Sequence, residues 1–442
     1  MPSVRTCGKT GAQRKAAIWQ RPIGAGVNAT MGRPHRRSTM STEFMANHVR
    51  VSNGRLIVGL GGLYVAQSII GSMIFAGLPA VMRQGGASLN EIAFTLLAVL
   101  PWSLKFLWAP TVERFRSPHV GVRRSRLTVG IVGAFSVGAV VALALTGPTT
   151  VGALAVAMMI ASTASATIDI ACDGHAVESF SEENRGWGNA AQIGGAYLGT
   201  ALGGGAFLIM LDHWTWRSSS LVMAGLLVAL ALPFLLTPDG APASRPDRPR
   251  PSLKNAFKRP EIRSGLVLVA VYVFGQKWAM TMIGPFLIDL GMSLTLLGAL
   301  NGAGITILGV AGALGGGYLV RHYGAYRVMF WTLPAQAVAM FSLASIAYWD
   351  MRSLPLLLLT LFVSAMMFAL GFVALYSELM GRASLDQAGV DFTLFQSADA
   401  IISLIGWQLA AVAGESFGYA FCFASASVFG LITLKLLPRL RQ

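Results

Sequence analysis

The feature that most constrains this chain is a series of long apolar runs. Each has about the 20 residues that an α-helix needs to cross a bilayer. Only 12% of the residues are charged, whereas about 25% is typical of a soluble domain. The sequence therefore predicts an all-α polytopic membrane protein with twelve transmembrane helices. The predicted segments are 56–80, 90–110, 127–146, 151–174, 187–211, 218–236, 264–288, 294–318, 328–348, 354–377, 391–413 and 418–437.

The net charge of +15 raises the question of nucleic-acid binding, but the distribution of the charge indicates membrane topology instead. Of the 34 lysines and arginines, only Arg83, Arg217 and Arg352 fall in loops on the predicted outer side. This is the asymmetry of an inserted membrane protein, whose cytoplasmic loops are basic. We therefore expect no nucleic-acid partner, and we expect both termini to lie in the cytoplasm.

Several function classes lack their sequence signals. Cys7, Cys172 and Cys422 are far apart, which supports neither a disulfide framework nor a metal site. No Gly-Lys-Ser/Thr follows the glycine runs, so an ATP-driven pump is not indicated. No Ser/His/Asp set suggests an enzyme, and we expect no cofactor.

The ends and the middle of the chain are polar. Residues 1–54 are basic and have no apolar run, which predicts a disordered tail or a start at Met40 or Met45. Residues 237–263 are basic and rich in proline, as expected of a cytoplasmic linker.

The linker divides the predicted helices into two sets of six. The N-terminal half is residues 55–236 and the C-terminal half is residues 264–437, followed by a tail at 438–442.

This six-plus-six plan resembles the major facilitator superfamily, whose loop motif G-x-L-x-D-R-x-G-R-[KR] follows the second and eighth helices. The first copy here is "APTVERFRSPHVGVRRSR", in which Glu113 and Arg114 match the acidic-basic pair. The second copy is "GGYLVRHYGAYR", in which Arg321 and His322 replace that pair and Arg327 matches the basic end. The resemblance implies a 6+6 pseudo-symmetric fold and transport by alternating access.

Four blocks, at 100–115, 168–174, 185–195 and 387–397, are similar to bacterial siderophore permeases of the rhizobactin and pyochelin type. The related muropeptide permeases share the first block. The resemblance implies a secondary transporter of the bacterial inner membrane that imports a siderophore or ferric siderophore with protons. Import of a muropeptide and efflux of small molecules remain alternatives. We expect the protein to act as a monomer.

Ionisable side chains inside membrane helices are the first candidates for a cargo or proton site. Lys277 lies midway along the seventh segment, where it could recognise an anionic cargo or pair with a neighbouring carboxylate; Gln276 is beside it. Asp399, with Gln396, is the deepest carboxylate of the C-terminal half and could carry a proton or bridge to Lys277. A static hydrogen bond between helices is the alternative for Asp399. Lys105 ends the second segment, where we expect it to extend towards the interface. It is nevertheless kept as a candidate for the cargo or proton site, because the family resemblance includes this lysine.

Asp169 and Asp173 lie one helical turn apart at the end of the fourth segment. Asp169 is about 27 Å along that segment at about 1.5 Å per residue, which places it at the inner rim rather than the midplane. We expect the two carboxylates to meet Arg114 and Arg116 of the preceding loop as a cytoplasmic latch. A static salt bridge and a proton-carrying pair remain alternatives. His175 is expected in the solvated loop.

The C-terminal half contains a partial counterpart of this gate. Glu378 ends the tenth segment and is predicted to pair with Arg321, His322 or Arg327. Together with Glu113 of the first loop motif, these side chains complete the predicted cytoplasmic gate.

Glycines recur in the fifth and eighth segments. Gly195, Gly199 and Gly203 repeat at four-residue spacing, which lets neighbouring helices approach closely. We expect these smooth helices to serve packing and the movement of one half against the other.

Overall fold

The protein is described here by a computed structural model. It describes residues 52–88, 96–118, 122–147, 151–239, 249–292, 296, 298 and 300–441, within which every regular element is a helix. The possible starts at Met40 and Met45 and the middle of the linker, 240–248, lie outside the described residues.

The first six helices agree with the predicted segments of the N-terminal half. A short helix, Ala109–Arg116, follows the second of them. The six are α1 (Asn53–Gln84), α2 (Leu97–Leu107), α3 (Ser125–Thr146), α4 (Val151–Ser179), α5 (Glu182–His213) and α6 (Trp216–Leu235).

The remaining helices follow the linker and a short helix, Leu253–Lys258. They are α7 (Pro260–Asp289), α8 (Gly302–Tyr323), α9 (Ala325–Tyr348), α10 (Leu354–Arg382) and one long element, Ala388–Leu436.

Gly418 divides the long element, because its φ of 77° and ψ of 174° are not helical. Glycine adopts a positive φ without steric cost, so the chain can turn there. We name the two arms α11 (388–417) and α12 (419–436).

Ten helices in the described residues are long and apolar enough to cross a membrane. One of them is the element that Gly418 divides, and the shorter α2 occupies the second predicted segment, whose first residues, 90–95, lie outside the described part. Helices satisfy all their backbone hydrogen bonds internally, which hydrocarbon requires. The predicted all-α, twelve-segment class is confirmed.

Polar residues and glycines set several helix ends. The Ser52 hydroxyl accepts a hydrogen bond from the Arg55 N–H at the start of α1. Gly147 and Gly324 follow α3 and α8 with φ of 77° and 81°, the conformation that ends a helix.

The fourth helix is longer than predicted, because α4 continues to Ser179. His175 is therefore helical and only 4% exposed, and its ring packs edge-on against Phe234 at 5.2 Å. The expectation that His175 is solvated was wrong. The apolar sequence ends near position 171, but helix geometry continues through polar residues when neighbouring helices cover them.

The predicted close approach at glycines occurs, but chiefly within one half. A Cβ on Gly199 would lie 2.5 Å from the Val65 carbonyl oxygen, and one on Gly203 would lie 2.3 Å from the Ile69 oxygen. These glycines therefore seat α5 against α1. Contact between α5 and α8 involves two other glycines, Gly186 and Gly317. A Cβ on Gly186 would lie 2.9 Å from the Gly317 carbonyl oxygen.

Gly199→Ala should destabilise the fold by about 1–3 kcal/mol, because the new methyl group meets backbone atoms that cannot move aside. The measurement is the thermal unfolding midpoint in detergent. Gly225→Ala is the matched control, because a Cβ there meets nothing within 4 Å. Equal midpoints for the two variants would contradict the close α1–α5 contact.

Candidate functional site

A cavity of about 320 Å³ lies between the first six and the last six helices. Its wall combines aromatic rings with charged and amide side chains, the mixture that small-molecule sites use to bind and orient a ligand. Its polar and aromatic wall includes Tyr64, Gln67, Trp102, Ser103, Lys105, Asp169, Gln192, Lys277, Tyr376, Gln396, Asp399 and Trp407.

Lys105 forms the central ion pair of this wall. Its ammonium group contacts the Asp169 carboxylate of α4 and donates to the Gln396 amide oxygen of α11, which joins the two halves. The side chains of the ion pair are only 3% and 5% exposed. The predictions that Lys105 extends to the interface and that Asp169 lies at the rim with the arginines were therefore wrong. The chain turns at Lys105 into a 3₁₀ segment, which directs the lysine inward.

Asp173, one turn beyond Asp169, is completely buried. Its Oδ1 accepts hydrogen bonds from the Tyr64 hydroxyl at 2.8 Å and from the Gln192 amide at 3.4 Å. Neither partner is an arginine, so the predicted Asp173–Arg pairing is not formed. Asp173 lies immediately behind the cavity wall that Tyr64 and Gln192 form.

Lys277 reaches the cavity without a carboxylate partner. Its ammonium group lies 5.4 Å and 5.2 Å from the ring centroids of Phe368 and Phe372 on α10. Among the described residues no carboxylate forms a salt bridge with it, so the predicted bridge to Asp399 is absent. Gln276 is 7% exposed and does not line the cavity. Cation–π contacts stabilise the ammonium only in part, which leaves its charge available to a ligand.

Asp399 is served by hydroxyl groups. The Tyr376 hydroxyl donates to Oδ2 at 2.5 Å, and the Ser403 hydroxyl donates to Oδ1 at 3.0 Å. Both carboxylate oxygens therefore have a hydrogen-bond donor. Asp399 and both of its donors belong to the C-terminal half, and all three line the cavity.

A second cluster of charges lies at the end of the bundle where α5, α7 and α11 begin, which we call the basic end. Arg116 binds Glu113 and Glu178 there, each at 2.9 Å, and all three side chains are at most 1% exposed. Burial alone would lower the pKa of Arg116, but the two carboxylates outweigh it and hold the pKa above its ordinary value. Arg114 instead donates to the Pro251 carbonyl oxygen at 3.0 Å.

The two halves meet closely at the basic end. A Cβ on Gly389, at the start of α11, would lie 2.5 Å from Glu113 Oε2 and 3.0 Å from the Ile170 carbonyl oxygen. The Asn189 amide of α5 donates to the Ser377 hydroxyl of α10 at 3.4 Å. Side chains of both halves share one buried apolar cluster here.

The charge pairs of the C-terminal half also differ from the prediction. Glu378 binds Arg382 of its own helix at 2.9 Å, and not Arg321, His322 or Arg327. A glutamate four residues before an arginine lies on the same helix face, so the local partner is nearer than the loop. Arg327 is exposed.

Towards the opposite end the halves separate. The buried apolar clusters at that level belong to one half each, unlike the shared cluster at the basic end. Among the cavity-lining residues of α1, exposure rises from 4% at Tyr64 to 50% at Phe75, and Trp407 of α11 is 37% exposed. The cavity is thus closed at the basic end and opens at the other.

Two sets of six helices around a cavity that opens at one end describe a transporter fold, and the comparisons identify it. The sequence profile of the Major Facilitator Superfamily matches residues 60–407. The chain belongs to this superfamily. It is a multi-pass membrane protein and a secondary transporter rather than an enzyme.

Relatives and solved structures agree with this assignment. The anhydromuropeptide permease of Escherichia coli is 27% identical over 383 residues, which cover 81% of this chain and 77% of that protein. The human organic anion transporter MFSD10 has a similar fold, with a TM-score of 0.69 and 16% identity over 88% of this chain and 100% of that one. The E. coli fucose:proton symporter also has a similar fold, with a TM-score of 0.64 and 12% identity over 87% of this chain and 98% of that one.

Sequence reasoning missed several partners of the predicted charged residues. Tyr64, Gln192 and Tyr376 complete the carboxylate sites, and Glu178 completes the Arg116 cluster. Tyr64 and Gln67 were detectable as polar residues three apart in an apolar helix, a pattern that places both on one face.

Arg116→Met should destabilise the protein by about 3–5 kcal/mol, because it leaves two buried carboxylates without their shared cation. Denaturant unfolding in detergent measures the effect. Arg114→Met, at an exposed arginine two residues earlier, is the control and should change stability little. Equal losses of stability in the two variants would show that the buried cluster contributes no more to stability than an exposed arginine does.

Proposed function

We propose that this protein imports an anhydromuropeptide, a sugar–peptide with carboxylate groups, from the periplasm by alternating access driven by protons. The observation that carries the proposal is the unpaired ammonium of Lys277 on the wall of the cavity between the halves. A lysine charge inside a membrane protein is costly unless a partner compensates it. Lys105, the other lysine of the described cavity wall, is already paired, so within that wall Lys277 is the lysine free to bind an anionic cargo.

The rest of the wall suits a cargo that is only partly charged. Trp102 and Trp407 offer ring surfaces, and Gln67 and Gln192 offer amide groups that hydroxyls and peptide bonds can meet. The volume of about 320 Å³ is at the lower end of the range for small-molecule pockets. We infer that this state encloses part of the cargo while the remainder extends through the open end.

The choice of cargo rests on the relatives. A siderophore was the first expectation from the sequence blocks, but the E. coli relative that spans 81% of this chain is named an anhydromuropeptide permease. The comparisons thus favour the alternative cargo, and siderophores become the competing substrate in the test below.

Membrane topology supplies the direction that the cavity faces. If the basic loops lie in the cytoplasm, as the positive-inside rule requires, the closed end is cytoplasmic and the open end faces the periplasm. Both termini are then cytoplasmic, in a bacterial inner membrane. This state would accept cargo from outside, as an importer must.

The central test is uptake of labelled anhydromuropeptide into cells that lack the endogenous gene and express the protein. Wild type should take up this cargo, a protonophore should abolish accumulation, and ferric siderophore uptake should not depend on the protein. Siderophore uptake without muropeptide uptake would contradict the proposed cargo.

Lys277→Met should lower uptake at least about tenfold, since loss of about 1.4 kcal/mol of cargo binding is a factor of ten. Lys277→Arg should retain part of the activity because it keeps the charge. Lys435→Met, at an exposed lysine in the last turn of α12, is the matched control and should transport normally. Normal uptake by Lys277→Met at normal protein level would show that this cation does not bind the cargo.

A further inference from the structure

Asp173 stands out because its hydrogen bonding is incomplete. The side chain is fully buried, and only Oδ1 receives donors, from Tyr64 and Gln192. No donor in the described residues makes a hydrogen bond of acceptable geometry to Oδ2. The Gln192 amide oxygen is likewise buried without a donor. Buried polar atoms without partners are rare in folded proteins, so two acceptors in one cluster require an explanation.

The charges around Asp173 are also unbalanced. Among the described residues that face Asp173, the single cation is Lys105, which already contacts Asp169. Two ionised carboxylates would therefore leave one surplus negative charge inside the membrane. The polar and titratable groups that face Asp173 come from α1, α2, α4, α5, α10 and α11. They are Tyr64, Lys105, Asp169, Cys172, Gln192, Tyr376 and Gln396.

Asp399, the expected proton carrier, has no such deficit. Each of its oxygens accepts a hydrogen bond from a hydroxyl, so the ionised form is well served in the present arrangement. The missing donor distinguishes Asp173 from Asp399.

We propose that Asp173 binds the proton whose movement drives transport; this rests on the proposed function for the proton drive but not for the identity of the cargo. A proton on Oδ2 converts an acceptor without a partner into a donor. It also removes the surplus charge beside the Lys105–Asp169 pair. One added proton thus corrects both imbalances.

Tyr64 provides the route from the open cavity, since its hydroxyl already donates to Asp173 and its side chain lines the wall. In the transfer the Tyr64 O–H bond breaks as an O–H bond to Oδ1 of Asp173 forms. Rotation of the carboxyl group about its Cβ–Cγ bond then brings the protonated oxygen to the position of Oδ2. A hydronium ion in the cavity returns a proton to the Tyr64 oxygen, so atoms and charge balance.

Gln396 links this site to the other half of the protein. It belongs to α11, and its amide oxygen accepts a hydrogen bond from Lys105, which also contacts Asp169. When Asp173 is ionised, it competes with Asp169 and Gln396 for Lys105. When Asp173 is protonated, that competition ends, and the contact between the halves changes with it.

Infrared difference spectroscopy tests the proposal without any cargo. The wild-type protein should show the C=O band of a buried protonated carboxyl that disappears as pH rises. Asp173→Asn should lack this band, whereas Asp399→Asn and the exposed control Asp212→Asn should keep it. Asp173→Glu retains a carboxyl and should show a displaced band, which separates loss of the group from misfolding. An unchanged band in Asp173→Asn, or its loss in Asp399→Asn, would overturn the proposal.

Transport in proteoliposomes provides the second readout. Asp173→Asn should lose accumulation against a gradient under an imposed pH difference, while exchange of cargo across the membrane persists. Accumulation at the wild-type level in Asp173→Asn would overturn the proton assignment. If wild type carries no anhydromuropeptide but the infrared band behaves as expected, the proposed cargo fails and the proton site stands.

Discussion

The structure depends on one constraint, the cost of an unpaired charge away from water. Arg116 satisfies it with two glutamates, and Lys105 satisfies it with Asp169. In the described part of the chain, Lys277 has no carboxylate partner, and Asp173 has an oxygen without a donor. Pairs that are complete hold the bundle together, whereas groups that are incomplete are where a cargo and a proton would be bound.

The same cost of unpaired charge determines how the closed, basic end of the bundle can open. A buried ion pair contributes little net stability when it is complete, but separation of its partners is costly unless water or new partners replace them. The Arg116 cluster lies wholly within the N-terminal half, so it can move as a unit while Gly389 withdraws from it. Glycine contacts such as Gly186 with Gly317 allow the halves to separate without the loss of interlocked side chains. Rigid movement of one half against the other is then the least costly change.

Sequence reasoning predicted the helices well because hydropathy and helix length are local properties. It also selected most of the charged residues of the site, among them Lys277, Lys105 and Asp399. It paired them wrongly because partners are set by packing between distant segments: Asp169 and Lys105 are 64 residues apart, and Tyr64 and Asp173 are 109 apart. Depth along a helix placed Asp169 at a rim, but the bend of the chain at Lys105 gives it a partner inside the bundle.

The most direct test of the alternating-access account is the distance between the halves at the basic end during transport. Spin labels at Ser181→Cys and Arg321→Cys, two exposed positions in the polar cleft there, would report it in a protein whose native cysteines are replaced. The account predicts a short distance at rest and a second, longer one when cargo and a proton gradient are both present. A distribution that stays at the short distance while cargo is being transported would contradict it.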